Sequence, residues 1–179
     1  MQFIKIHDKQ FEILINEEKI KNRVSELAIE ISKKYADKNP LFVSILNGAF
    51  IFASDIFRMF KFPCEISFIK VSSYKGVEST GKINLLFGLN ENIEGRHVVI
   101  LEDIIDTGIT IDFILKEFEK QNPVSVEICS FITKPDALKV NICSKYIGFE
   151  VGNKFLVGYG MDYDGHGRNL KAIYKEFSA

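Results

Sequence analysis

The run Val98-Val99-Ile100-Leu101-Glu102-Asp103-Ile104-Ile105-Asp106-Thr107-Gly108-Ile109-Thr110 constrains the fold of this chain more than any other stretch. Four consecutive apolar residues without polar alternation suit a strand covered on both faces in a parallel sheet, although periodicity by itself also allows a buried helix. The residues beyond Gly108 favour the strand. Ile111, Ile114, Leu115 and Phe118 recur at helical spacing, so a helix from about Thr110 to Gln121 has one apolar face, and Pro123 stands just past its end. The unit is strand, turn, helix. Thr107, Gly108 and Thr110 at the helix start offer two hydroxyls, free backbone N–H groups and the positive end of the helix dipole. Gly108 lets the backbone approach a ligand, and together these make a phosphate cradle. Glu102, Asp103 and Asp106 around the same turn supply hard oxygens for hydroxyls or a divalent cation, or a base for a proton. On spacing alone a plainer reading stays open, in which Asp106 or Thr110 caps the helix and Glu102 and Asp103 are solvated at a strand end.

The same unit occurs earlier. Leu41-Phe42-Val43-Ser44-Ile45-Leu46 reads as a strand, Asn47-Gly48-Ala49 as a turn, and Phe50, Ala53, Ile56, Phe57 and Phe60 as one face of a helix. Before it, Asn16 followed by Glu17 and Glu18 starts a helix whose apolar face runs through Ile20, Val24, Leu27, Ala28 and Ile31. Val124 to Ile132 is another apolar strand, and it delivers Thr133-Lys134-Pro135 to the same sheet edge. Repetition of this unit predicts an α/β fold with ligands gathered where turns leave the strand C-termini. Glu65 to Val71 alternates as a strand. The polar, small-residue stretch Ser72 to Gly81 beyond it reads as a mobile segment or a surface hairpin, and Ile83 to Phe87 as a further strand.

A length of 179 residues suits one domain, 1–179, with a substantial core. Lys plus Arg number 23 against 24 for Asp plus Glu, a net charge of −1, so no basic field exists to attract nucleic acid. Met1 to Asp8 alternates like a strand rather than a signal-peptide core, and no apolar run approaches the roughly 18 residues of a membrane span. No membrane partner and a cytoplasmic location are expected. Cys64, Cys129 and Cys143 lack metal-ligand spacing and are read as thiols in a reducing compartment.

Glu102-Asp103-Ile104-Ile105-Asp106-Thr107-Gly108 resembles the phosphoribosyl pyrophosphate motif of type I phosphoribosyltransferases, and the doubled Ile between the acids resembles their hypoxanthine-guanine branch. The likeness runs from about Leu41 to Arg168. It implies the type I phosphoribosyltransferase fold, a mostly parallel twisted sheet flanked by helices. The core would span about 36–150, with a small hood built from the N-terminal segment and about 151–179. It also implies purine salvage: transfer of the phosphoribosyl group of phosphoribosyl pyrophosphate to hypoxanthine or guanine, giving IMP or GMP and pyrophosphate, with Mg2+. A homo-oligomer, dimer or tetramer, is expected.

The resemblance also assigns roles residue by residue. Glu102 and Asp103 hold the ribose hydroxyls and a metal, Thr107, Gly108, Ile109 and Thr110 bind the 5′-phosphate, and Asp106 is the catalytic residue that takes or shares the purine N7 proton. Ile109 stands where many of these enzymes carry Lys, which leaves that contact to the backbone. Asn47-Gly48, alone no more than a tight turn, would be the pyrophosphate loop, with a cis peptide between Leu46 and Asn47. Asn47 also replaces a frequent Lys. Arg168 would reach the pyrophosphate. Lys134 would donate to the 6-oxo group of the base, Phe155 stack on it, Leu156 bond it through backbone groups, and Asp162 reach a metal beside it. Phe155 and Leu156 read equally well as plain core. Ser73 and Tyr74 would belong to a lid that keeps water from the activated ribosyl group. Two rivals keep a related pattern: a nucleotide-sensing regulator that binds RNA or DNA, disfavoured by the missing basic stripe, and a phosphoaspartate receiver, which has no use for Thr107-Gly108-Ile109-Thr110.

Overall fold

The computed structural model describes residues 3–73 and 83–177. An antiparallel hairpin comes first, β1 (Phe3–Ile6) and β2 (Lys9–Ile15). α1 (Glu17–Tyr35) begins at Asn16, whose Oδ1 accepts the Lys19 N–H at 2.9 Å, and carries acids in its first turn and Lys33 and Lys34 in its last, as the helix dipole favours. β3 (Leu41–Leu46), α2 (Phe50–Phe57), β4 (Glu65–Ser73) and β5 (Ile83–Phe87) come after it. Next are β6 (His97–Ile105), α3 (Ile109–Glu119) and β7 (Ser125–Thr133), then a single 3-10 turn at Pro135–Ala137. β8 (Tyr146–Glu150), β9 (Leu156–Val157) and β10 (Ile173–Glu176) complete the chain.

The larger sheet has the order β5-β4-β3-β6-β7-β8, in which β4, β3, β6, β7 and β8 are parallel and β5 runs antiparallel on β4. Leu41 faces Val98 and Val98 faces Val126 across the ladders, so β3, β6 and β7 finish at one edge and carry Asn47, Asp106 and Lys134 there. The unbroken apolar run of β6 has the reason expected of it. Val99 and Leu101 pack into the core under α1 and α2 with Leu27, Phe52 and Ile56, whereas Val98 and Ile100 pack with Ile111, Ile114 and Phe118 of α3. All four strand residues have no exposed surface, a burial that favours the fold by roughly 1.5–3 kcal/mol per side chain.

The face expected for α2 is corrected. Phe52, Ala53 and Ile56 are the buried residues, Phe50 is 43% exposed, and Phe60 lies past the helix end, where its ring stacks on Phe42 at 4.6 Å. Six of the eight helical residues are Phe, Ile or Ala, so their spacing cannot mark which side faces the sheet. α3 starts at Ile109, one residue before Thr110, and ends at Glu119 rather than Gln121.

A second sheet, ordered β1-β2-β10-β9 and antiparallel throughout, joins the chain's beginning to its end. It has its own small core of Phe11, Val157, Ala172 and Tyr174. Ser73 ends β4, whereas Tyr74 and the remainder of the expected lid through Gly81 lie outside the described residues. Among the described residues no helix is long and apolar enough to cross a membrane.

Candidate active site

The turn from β6 into α3 forms the floor of the site. Glu102 and Asp103, in the second half of β6, are only 7% and 8% exposed, and Glu102 Oε2 has no hydrogen-bond partner. Burial, and then the neighbouring Asp103 charge, raise the Glu102 carboxyl well above the ordinary carboxylate range. Burial raises Asp103 too, against hydrogen bonds from Glu102 and from backbone N–H groups and against the Arg168 charge, which pull the other way. The plain reading of solvated strand-end acids therefore fails. Two adjacent, dehydrated carboxyl groups are costly, and such arrangements concentrate where a ligand or cation completes them.

The capping alternative fails as well. The N-cap of α3 is Gly108, with φ of +80°, and no side chain caps the helix, neither that of Asp106 nor that of Thr110. The positive helix end is left to whatever enters the hollow of about 110 Å³ bordered by Glu102, Asp106, Thr107, Gly108 and Thr110. Gly108, which borders this hollow, is also constrained by packing. Besides its positive φ, a Cβ there would fall 2.9 Å from Val140 Cγ2, so a larger residue would meet protein on that side. The Lys134 N–H bonds Ile105 O and the Lys139 N–H bonds Thr107 O, each at 2.9 Å, which fastens the turn to the chain leaving β7. Ile109 is 39% exposed beside this turn.

Lys134 stands at the end of β7 with only 5% of its surface exposed, and its Nζ donates to Asp106 Oδ2 at 2.9 Å. The parallel pairing of β6 with β7 brings these residues together from 28 positions apart.

The β3–α2 turn is the second wall. The Leu46–Asn47 peptide is cis, and Asn47 is exposed. Gly48 lies against Asp103: a Cβ on Gly48 would fall 1.8 Å from Asp103 Oδ2. The third wall comes from the segment after β9. A Cβ on Gly160, whose φ is +100°, would fall 2.0 Å from the Gly48 carbonyl oxygen. Arg168 donates to Gly160 O at 2.7 Å and pairs with Asp162 Oδ1 at 2.6 Å, while Asp162 Oδ2 accepts the Gly165 N–H at 2.7 Å. Asp162 is thus gathered with Arg168, and among the described residues no three His, Cys, Asp or Glu side chains converge as a metal cluster. Leu156 is buried in β9, whereas Phe155 is 41% exposed, with the Lys9 ammonium 5.2 Å from its ring centre and Tyr163 edge-on to it. Leu156 is core and Phe155 is not.

Two residues escaped the sequence reading. Tyr159, between Gly158 and Gly160, is 4% exposed and donates to Asp55 Oδ2 on α2 at 2.8 Å. The only trace of it in the sequence is a pair of glycines flanking an aromatic, a pattern that marks a close backbone approach.

Residues 11–164 match the family described as phosphoribosyl transferase domain. A hypoxanthine-guanine phosphoribosyltransferase of Aquifex aeolicus is 42% identical over 94% of this chain and 96% of its own length. A hypoxanthine-guanine-xanthine phosphoribosyltransferase of Tritrichomonas foetus is 39% identical over 90% and 88%. The crystal structure of a hypoxanthine phosphoribosyltransferase from Staphylococcus aureus superposes with a TM-score of 0.88 at 37% identity, covering 93% of this chain and 91% of that one. The chain belongs to the phosphoribosyltransferase family.

Proposed function

We propose that this protein transfers the phosphoribosyl group of phosphoribosyl pyrophosphate to hypoxanthine or guanine, releasing pyrophosphate and the nucleotide, a purine salvage reaction. The observation that carries the reading is the meeting of Lys134 and Asp106 at the rim of an uncapped helix N-terminus. A base reader and a proton acceptor there stand next to a phosphate cradle. In this reading the Thr107 to Thr110 turn holds the 5′-phosphate, and Glu102 and Asp103 accept the ribose hydroxyls. The amides near Asn47 and Gly48, with Arg168, take the pyrophosphate. Lys134 donates to the 6-oxo group and Asp106 accepts the N7 proton as the base attacks C1 of the ribose. Exposed Phe155 stacks on the purine and Leu156 offers it backbone groups. As positive charge develops on the ribose and negative charge on the leaving group, placement and fixed dipoles lower the barrier.

Mg2+ fits the residues present. Glu102 Oε2 is buried without a partner next to the Asp103 carboxylate, and Mg2+ is commonly held by one or two carboxylates, the remaining positions going to substrate oxygens and water. Asp162 would reach a metal from the Arg168 side. When bound, the ion offsets the charge of the pyrophosphate group. Ser73 and Tyr74 are proposed as part of a lid, the larger sheet as the catalytic core and the smaller sheet as the hood. Three free thiols support a cytoplasmic setting. We propose a dimer or tetramer, to be read by sedimentation.

The deciding experiment incubates the protein with phosphoribosyl pyrophosphate, Mg2+ and each purine in turn. Formation of IMP or GMP together with pyrophosphate is expected, and no nucleotide from either 6-oxopurine would overturn the reading.

A further inference from the structure

We infer that the Tyr159–Asp55 hydrogen bond is a positioning device for the pyrophosphate subsite, setting the affinity for pyrophosphate-bearing ligands without touching them. The inference rests on the proposed function for what that subsite holds, and on geometry for the rest.

Asp55 sits in the second turn of α2, the helix that leaves the Asn47-Gly48-Ala49 turn, and that turn is closed by the Ala49 N–H to Ile45 O and Phe50 N–H to Asn47 O bonds at 3.2 and 3.5 Å, without a side-chain tie among the described residues. Ala49 is the N-cap of α2, and no side chain caps the helix. What presses on the turn is the Gly158-Tyr159-Gly160 segment. All three residues are at positive φ, +100°, +49° and +100°, and the Gly160 α-carbon packs directly on the Gly48 carbonyl. Tyr159 is the member of that segment with a side chain, and its hydroxyl reaches back to Asp55 Oδ2 at 2.8 Å. Its ring is wedged on Phe131, 4.9 Å between centroids. The phenol is thus clamped at both ends.

The consequence concerns two groups at once. Through Gly160 the segment bears on Gly48, which itself lies against Asp103, and the Gly160 carbonyl also accepts the Arg168 guanidinium at 2.7 Å. The backbone bonds Tyr159 N–H to Leu170 O and Gly160 N–H to Arg168 O hold the segment to the chain around the arginine, and the Tyr159–Asp55 bond ties it to α2. This bond therefore helps set the distance between the amides after Asn47 and the arginine opposite them, the two groups proposed to grip the same pyrophosphate. Small errors in such spacing weaken charge-assisted contacts steeply, because their strength depends on alignment as well as distance. Burial, and then the Asp55 charge, push the Tyr159 phenol up, so it remains a donor. On the purine side, Lys134 bonds Asp106 rather than any member of this segment.

The test is calorimetric titration of Mg2+-pyrophosphate into Tyr159→Phe, Asp55→Ala and Asp55→Asn, with steady-state kinetics alongside. Asp55 is half-buried and shares its hollow with Lys21 and Lys171, so the carboxylate left behind in Tyr159→Phe keeps solvent and cationic neighbours. Tyr159→Phe and Asp55→Ala are expected to weaken pyrophosphate binding roughly 3- to 10-fold, the range one net hydrogen bond covers. KM for phosphoribosyl pyrophosphate should rise in parallel, while KM for the purine stays put. Asp55→Asn, which keeps an acceptor oxygen for the phenol, should restore both values. An unchanged pyrophosphate Kd in Tyr159→Phe overturns the inference, as does a loss shared equally by purine and pyrophosphate, which a merely structural bond would give. A wild-type protein that binds pyrophosphate but turns over no purine would sink the functional reading and leave this inference to stand or fall on the Kd ratios.

Discussion

Lys134 Nζ and Asp106 Oδ2 lie 2.9 Å apart, the ammonium almost fully buried and the carboxylate half exposed. The buried partner needs a compensating charge and the exposed one does not, so Lys134 depends on Asp106 more than the reverse. In the proposed reaction, a base arriving between them would offer Lys134 a carbonyl and Asp106 a proton.

Asp106→Asn should therefore retain phosphoribosyl pyrophosphate binding and lose turnover, because the amide keeps the shape but cannot take the N7 proton. A positioned base contributes about 10²–10⁴-fold, and kcat should fall within that range. Full turnover in the variant would remove Asp106 from the mechanism.

In the proposed reading, base choice depends on Lys134 having donors only. Hypoxanthine and guanine present a carbonyl at position six, whereas adenine presents an amino donor and would leave a desolvated cation unmatched, at a cost on the order of 1–3 kcal/mol or more. Adenine should be a very poor substrate. Lys134→Gln can donate or accept, so activity with hypoxanthine should drop and the ratio of kcat/KM values for hypoxanthine over adenine should narrow. A variant that keeps the full ratio would show that another group reads the base.

Gly48→Ala places a methyl group where Asp103 Oδ2 now lies, 1.8 Å away. Either the carboxylate or the loop must move. Displacements of this size at a reacting centre cost on the order of 10²-fold, so kcat/KM for phosphoribosyl pyrophosphate should fall by about that factor. Wild-type kinetics in Gly48→Ala would mean that the contact between loop and carboxylate is not needed.

The raised Glu102 carboxyl makes the stability of the ligand-free protein depend on pH. Its folded pKa lies above its unfolded value, so the folded state binds the extra proton, and the contribution, complete below the unfolded pKa, is lost as pH rises through the folded one. Glu102→Gln carries no such charge. Calorimetric melting from about pH 5 to about pH 9 should show the variant gaining on the wild type as pH rises, while Mg2+-dependent turnover is lost. Parallel melting curves would place the Glu102 proton elsewhere.

The sequence by itself determined the strand-turn-helix units, the parallel α/β class and the acidic run leading into a small-residue turn, because these depend on local periodicity and on the chemistry of neighbours. The start of α1 at Asn16 was legible for the same reason, a cap being a property of a few adjacent residues. Only the tertiary structure decided which face of α2 is buried, since a nearly all-apolar helix carries no stripe to read. It alone separated Phe155, exposed, from Leu156, buried, which are neighbours of similar hydrophobicity. It alone showed that Glu102 and Asp103 are dehydrated rather than solvated, because burial depends on what distant segments, such as the Gly48 turn, bring over a strand end. And it alone brought Tyr159 to Asp55 and Gly160 to Gly48, contacts across more than 100 residues that no local pattern encodes.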